Sequence, residues 1–269
     1  MEPARSWFSE APIRGKYIPG AIIKTSQPVP REWKIDKIIN EHDEQLSRDD
    51  CVPEDDLLSF ATIRVRCFRV DKPDAKADMR VYLQVPYKNT ERESAQLRGN
   101  QQTSFQPREL KAYKLMSAHR EISKFTPNLL GYEEGRQSER GLVPMGFETT
   151  VVWERVPGHR LGLIGTIPTS PFWQFSEPER DDIRGIFKDQ LILMGQLGVM
   201  QAEPDLRSLV FHQRTQTLYW VGFYDADLKK RNGPWTNRWY GIFGLLKPPP
   251  WDNSWTKPDW SEDIRGWGR

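Results

Sequence analysis

Residues 196–227 read QLGVMQAEPDLRSLVFHQRTQTLYWVGFYDAD, and this stretch decides the fold. Two apolar runs, at 209–211 and 217–221, flank the polar residues 212–216, and the second run is rich in β-forming side chains. The pattern predicts a hairpin of two short strands. A helix ending at Gly198 and a polar loop over 201–208 precede it, so the predicted order is helix, loop, strand, turn, strand.

This loop and hairpin resemble the catalytic and metal-binding loops of the protein-kinase-like and aminoglycoside-phosphotransferase-like superfamily, especially its small fungal members. The family pattern reads H-x-D-P-x-x-R-N, then apolar residues, a turn and a strand ending in D-F. Pro204, Arg207 and Phe223 match it in residue and spacing. The resemblance covers roughly residues 58 to 250. It implies an α+β, reduced two-lobed protein-kinase-like fold, with a small antiparallel sheet plus helix and then a short, mainly helical C-lobe.

The residues that would carry the chemistry differ from the family pattern. Gln201 stands at the histidine, Glu203 at the catalytic aspartate, Ser208 at the metal-binding asparagine and Gly222 at the magnesium-binding aspartate. Phosphoryl transfer depends on positioning and on charge neutralisation by magnesium, which prefers carboxylate and phosphate oxygens. The resemblance therefore implies a catalytically impaired, pseudokinase-like centre. Glu203 and Arg207 are its catalytic candidates, and Ser208 is a metal-site candidate.

Two alternatives stay open in this stretch. A three-residue slip would put Asp225 at the metal, which gives an active small-molecule or protein phosphotransferase using Glu203 with Asp225 or Asp227. Aspartate after a strand is more often a solvated turn residue. Arg207 could also form a salt bridge to Asp205 or Glu203 instead of binding phosphate.

The predicted N-lobe carries three further candidates. Residues 59–70 alternate apolar and polar side chains and predict a half-buried strand, with 79–85 as its antiparallel partner. The resemblance places Gln84 at the lysine of the V-A-I-K motif and Glu109, on a predicted helix over 107–116, at its partner. Glu154 lies in a hinge-like stretch, 153–158. Since Gln84 has no charge and no G-x-G-x-x-G loop precedes it, nucleotide binding is compromised, and we expect Glu109 to pair with an arginine or face solvent.

The remaining elements follow from local signals. Ser176 and Glu179 form a capping box at the start of a helix that Gly198 ends. The spacing of apolar residues over 32–39 predicts a helix. Further strands are predicted at 126–132 and 146–154, an exposed linker at 43–56 and a mobile loop at 88–106.

These elements predict four segments. They are an N-terminal extension and linker (1–57), a kinase-like N-lobe (58–153), a reduced C-lobe (154–250) and a Trp-rich tail (251–269). We expect the tryptophans of the tail to pack back on the C-lobe.

Composition limits the partners and the location. Lys plus Arg is 39 and Asp plus Glu is 37, so the net charge is only +2, which predicts no nucleic-acid or membrane partner. The sequence lacks a signal-peptide core and an apolar run of about 18 residues, and these absences predict a soluble protein of the cytoplasm or nucleus. Cys51 and Cys67 are expected to be free thiols, and the four scattered histidines predict no metal cluster.

The function predicted from these features is a binding or regulatory protein, with an unknown protein or small molecule as its partner. No cofactor is expected, and ATP and magnesium enter only with the phosphotransferase alternative. A further alternative is an accessory protein of a fungal metabolic pathway.

Overall fold

The computed structural model describes residues 6–52, 57–162, 170–231, 233–251, 253–257 and 260–268. The chain divides into two compact units. Unit 1 comprises Met1–Leu110 and Leu129–Arg155, and unit 2 comprises Lys111–Asn128 and Val156–Arg269. A sheet dominates unit 1 and the longest helix lies in unit 2, which confirms the predicted α+β class.

The strands are β1 (Ile22–Thr25), β2 (Arg31–Glu44), β3 (Phe60–Arg69), β4 (Lys72–Gln84), β5 (Leu129–Arg136), β6 (Phe147–Glu154), β7 (His159–Arg160), β8 (Leu209–His212) and β9 (Thr217–Trp220). The α-helices are α1 (Ala95–Gly99), α2 (Arg108–Ala118), α3 (Glu177–Leu197) and α4 (Arg238–Ile242).

Unit 1 is built on a six-stranded antiparallel sheet in the order β1-β2-β3-β4-β6-β5. Alternation along the strands puts one side chain in two on the core face. Val65 pairs with Met79 and Cys67 with Ala77, and all four are buried in one apolar cluster. The predicted strand pair of residues 59–70 and 79–85 is therefore confirmed.

The predicted helix over 32–39 is wrong, because these residues form part of β2. Trp33 and Ile35 are both buried, at the two-residue period of a strand. Bulges lie between Ile35 and Lys37 and between Ile38 and Asn40. Each bulge inserts one extra residue, and the resulting mixed spacing imitates a helical pattern. Residues 22–44 thus supply two strands of the sheet, although the sequence predicts an extension and linker there. Residues 53–56 of that linker lie outside the described residues.

The N-terminal segment completes the core of unit 1. Trp7, Phe8 and Tyr17 are buried in the same cluster as the strands. The Tyr17 hydroxyl donates to Glu148 Oε1 at 2.5 Å, and Lys16 forms an ion pair with that carboxylate. Burial, followed by the negative charge of Glu148, raises the pKa of Tyr17. The segment is therefore held to β6 by polar contacts as well as by apolar packing.

The mobile loop predicted over 88–106 contains helix α1 and a buried glutamine. Gln101 Oε1 accepts from the Tyr87 amide at 2.9 Å, and its Nε2 donates to Thr90 Oγ1 at 2.9 Å. The polar side chains that suggest mobility in the sequence are the ones that organise this loop.

Unit 2 is organised around α3. The capping box of Ser176 and Glu179 is present, and Gly198 ends the helix in the left-handed region at φ +82°. Phe187 of α3 stacks on Trp220 with ring centroids 5.1 Å apart, and Phe243 packs edge-on against Phe187 at 4.7 Å. This aromatic cluster joins α3 to the predicted hairpin, which is confirmed as β8 and β9.

The tail only partly follows its prediction. Trp267 is buried and packs on Trp255 and Trp260, whereas Trp251 is 86% exposed. Cys51 and Cys67 are free thiols, as predicted. None of the helices among the described residues has the length and apolar character needed to cross a membrane.

We expect Gly131→Ala to destabilise the protein. A Cβ at this bulge in β5 would lie 2.6 Å from Thr25 Oγ1, which accepts a 3.0 Å hydrogen bond from the buried Trp33 indole. Displacing Thr25 leaves that donor unsatisfied, at a cost of about 1–3 kcal/mol. Urea unfolding followed by circular dichroism measures the change. Gly135→Ala is the control, since its nearest neighbour lies at 3.4 Å. Equal stability of the two variants would contradict the prediction.

Gly185→Ala is expected to stabilise α3. No heavy atom lies within 4 Å of the added Cβ, and alanine is favoured over glycine in a helix interior by about 0.5–1 kcal/mol. Gly195→Ala in the same helix should gain less, because its Cβ would lie 3.3 Å from the Arg231 carbonyl oxygen. Thermal denaturation compares the variants, and a larger gain for Gly195→Ala would refute this account.

Candidate functional site

The loop after α3 is fixed at both ends to the start of the segment that follows β9. The Met200 amide donates a hydrogen bond to the Asp227 carbonyl, and the Asp227 amide donates one to the Met200 carbonyl. Gln201 is 3% exposed, and its Nε2 donates to the Val221 carbonyl at 3.1 Å. The Val221 amide in turn donates to the Ser208 carbonyl at 2.9 Å. These bonds hold residues 201–208 beside residues 221–223.

This arrangement brings together the two predicted metal-ligand positions. A Cβ placed on Gly222 would lie 4.0 Å from Ser208 Oγ. Gly222 has φ +84°, in the left-handed region that favours glycine. The Ser208 hydroxyl therefore lies beside position 222, and the groups present are one neutral hydroxyl and no side chain.

Arg207 is bound to its neighbour. Asp205 caps the short 3₁₀ helix Leu206–Ser208, accepting from the Arg207 amide at 2.6 Å, and its carboxylate also pairs with the Arg207 guanidinium. The hydrogen bond that Arg207 donates to Asp205, and then the negative charge of Asp205, raise the pKa of Arg207. Of the predicted partners of Arg207, the structure shows the salt bridge to Asp205.

The other acidic candidates of unit 2 differ in their surroundings. Glu203 is exposed, and its carboxylate makes no hydrogen bond or ion pair with any described residue. Asp225 is also exposed. Asp227 pairs with Arg231 at 2.9 Å in addition to its backbone bridge, so it already has a structural role.

Gln84 in unit 1 is buried within a network of its own. Its Nε2 donates to the Gln101 carbonyl at 2.6 Å, and its Oε1 accepts from the amides of Thr103 at 3.2 Å and Phe147 at 3.3 Å. All three hydrogen-bond partners of the Gln84 side chain are backbone groups of this chain. Gln84 therefore joins the end of β4 to the loop after α1.

The partner of Glu109 is Arg80, a residue that the sequence reasoning missed. Arg80 Nη1 lies 2.7 Å from Glu109 Oε2, and the Tyr82 hydroxyl donates to the same oxygen at 2.9 Å. The side chains of Arg80 and Glu109 are 11% and 2% exposed. Alternation gives a signal that could have found the pair, since Arg80 and Gln84 are four residues apart on one face of β4. The expectation that Glu109 pairs with an arginine is met.

Arg64, Asp78 and Trp153 surround the ion pair of Arg80 and Glu109. Arg64 pairs with Asp78 at 2.6 Å, and the guanidinium groups of Arg64 and Arg80 lie 5.7 and 5.6 Å from the Trp153 ring centre. Glu154 follows Trp153 at the end of β6, half-buried and opposite Ala77. The positive charges here are balanced by Asp78 and Glu109.

Within the described part of the chain, no group of three or more His, Cys, Asp or Glu side chains is placed to hold a metal ion. The structure brings Ser208 beside Gly222 and Arg207 beside Asp205, whereas Gln84 and Glu109 have separate sets of partners.

The sequence matches no protein-family model and no curated protein. Among solved structures, the chain is similar to vaccinia related kinase 3, with a TM-score of 0.40 and 12% identity over 81% of this chain and 56% of that one. It is also similar to the Cydia pomonella granulovirus kinase PK-1, with a TM-score of 0.37 and 11% identity over 62% of this chain and 48% of that one. Both are structures of kinases, and this chain spans about half the length of each.

Proposed function

We propose that the chain is a kinase-like binding or regulatory protein that does not transfer phosphate. The observation that carries this proposal is the pairing of Ser208 with Gly222 at the position where the resemblance implies two magnesium ligands. The two positions lie side by side, and neither carries a carboxylate.

Magnesium does not fit these residues. The ion requires near-octahedral oxygen ligands, and protein sites usually supply one or two carboxylates. Gly222 offers no side-chain oxygen and Ser208 only a neutral hydroxyl. Without the metal, the charge that develops on a transferring phosphoryl group is not neutralised.

The remaining candidates of the loop do not replace the metal. The charge of Arg207 is already paired with Asp205. Glu203 is longer than aspartate by one methylene, and a displacement of about 1 Å can cost on the order of 100-fold in rate. The pairing of Arg207 and the extra length of Glu203 both support a role for this loop other than catalysis.

The buried pair of unit 1 also supports a structural role. In protein kinases a strand lysine pairs with a helix glutamate and contacts the nucleotide phosphates. Here an arginine pairs with the helix glutamate, and both side chains are almost fully buried. Arg80 is held further by its position over Trp153. We assign the pair to fixing the first turn of α2, where Glu109 lies, to the sheet within unit 1.

Wild-type protein is therefore expected to show no magnesium-dependent stabilisation by ATP. A nucleotide that binds only the native state at 100 times its dissociation constant would stabilise by about 2.7 kcal/mol. Thermal-shift titration with millimolar ATP, with and without magnesium, makes the measurement.

Glu203→Ala is the companion variant for this titration, since its exposed carboxylate can be removed without disturbing a described contact. We expect its melting temperature to equal that of the wild type in every condition. A magnesium-dependent shift in the wild type would contradict the proposal and revive the phosphotransferase alternative, and loss of phosphate transfer in Glu203→Ala with the shift unchanged would then identify Glu203 as its base.

Arg80→Met is expected to destabilise the fold by about 3–5 kcal/mol, because it leaves the Glu109 carboxylate buried without its counter-charge. Arg80→Met with Glu109→Gln should recover part of that loss, since the remaining amide can still accept from Tyr82. Chemical denaturation of both single variants and the double variant gives the coupling free energy. Simple additivity of the two single effects would exclude a structural ion pair.

A further inference from the structure

The sheet of unit 1 presents an array of cations on the face opposite its apolar core. We call Lys34, Lys37, Arg66, Lys76 and the central Phe68 the basic face. Phe68 pairs with Lys34 of β2 on one side and with Lys76 of β4 on the other. In the next row, Arg66 pairs with Lys37 and Asp78.

Alternation places these side chains together. Ile35, Cys67 and Ala77 lie between them in sequence and are buried in the core cluster, so the basic face must point the other way. Neighbouring strands are about 4.8 Å apart and alternate residues about 6.7 Å apart. Four cations therefore originate from a patch of backbone of roughly 10 by 7 Å.

These four cations have no acidic partner among the described residues. Asp78 lies opposite Arg66, but its carboxylate forms an ion pair with Arg64. Two further acids also have other partners, since Asp71 pairs with Arg69 and Glu32 with Lys24. Asp36 is the extra residue of the bulge before Lys37. The array keeps a net positive charge.

The cross-strand pair of Lys37 and Arg66 is unfavourable by itself. Like charges directly opposite one another destabilise an antiparallel sheet. Lys34, Lys37 and Lys76 are exposed, and Arg66 and Phe68 are half-buried. An anionic group seated between the two strands would relieve this repulsion and would contact the ring of Phe68 beside it.

We infer that the basic face binds an acidic segment of a partner protein, with an apolar side chain against Phe68 and carboxylates on the surrounding cations. The surface is one face of a sheet, whereas small-molecule sites are concave. Sheets that bind RNA present two or three stacking aromatics, and this array offers a single half-buried one. The net charge of +2 also provides no extended track for a phosphate backbone.

This inference goes beyond the loss of phosphotransfer and stands independently of it, because every residue of the basic face belongs to unit 1. Its failure would leave the argument about Ser208 and Gly222 untouched. Conversely, a magnesium-dependent ATP response would not remove the charge array.

The test is fluorescence anisotropy of the full chain with a labelled heptapeptide of sequence EDELEDE at low salt. We expect saturable binding that weakens as salt is raised, since exposed charges are screened. Lys37→Glu with Lys76→Glu should weaken binding by about tenfold or more. Arg14→Glu with Lys88→Glu is the matched control, because it changes the net charge equally at two exposed positions of unit 1 outside the basic face. This control should bind as the wild type does.

Folding of the variants is checked by their melting temperatures. Lys37→Glu places a carboxylate opposite Arg66, so we expect the first pair not to lose stability. The proposal is overturned if the wild type does not bind the peptide, or if both variant pairs weaken it equally. Preference for a labelled 12-nucleotide oligouridine over the peptide would overturn it in favour of a nucleic-acid surface.

Discussion

The cost of burying a charged group governs how Glu109, in the first turn of α2 and within unit 1, packs against the sheet of that unit. Glu109 is almost fully buried. Its carboxylate can stay charged there because Arg80 and the Tyr82 hydroxyl both contact Oε2. Arg80 in turn lies over Trp153, beside the pair formed by Arg64 and Asp78. Desolvation of one carboxylate therefore determines the positions of side chains on three strands and a helix.

Unit 2 relies on backbone bonds where the resemblance leads one to expect chemistry. The amide and carbonyl of Val221 hold Ser208 and Gln201, and Met200 is bridged to Asp227. A loop with this many internal bonds is held in place whatever side chains it carries at Glu203 and Gly222. The bonds that hold the loop come from main-chain groups and from the side chains of Gln201 and Asp205, none of which is among the catalytic or metal candidates.

Sequence reasoning succeeds where the signal is local. The capping box at Ser176, the left-handed Gly198 and the hairpin of β8 and β9 depend on residues close to one another in the chain. It fails for β2, because two bulges break the alternation that identifies a strand. It also misses Arg80 as the partner of Glu109, because the strand position facing the helix is fixed by tertiary packing. Spacing along the chain selected Gln201, Glu203, Ser208 and Gly222 as candidates, whereas it could not give the hydrogen-bond partners of the loop.

The distribution of tryptophan has a spectroscopic consequence. Three of the 11 tryptophans, Trp7, Trp33 and Trp153, belong to unit 1, and all three are buried. The remaining residues of this type lie in unit 2, where Trp220 stacks on Phe187 and Trp251 is exposed to water. Intrinsic fluorescence of the whole chain is therefore weighted toward unit 2. Trp251 adds a red-shifted component to the emission of the folded state, so the red shift of Trp7, Trp33 and Trp153 on unfolding of unit 1 is superimposed on that component.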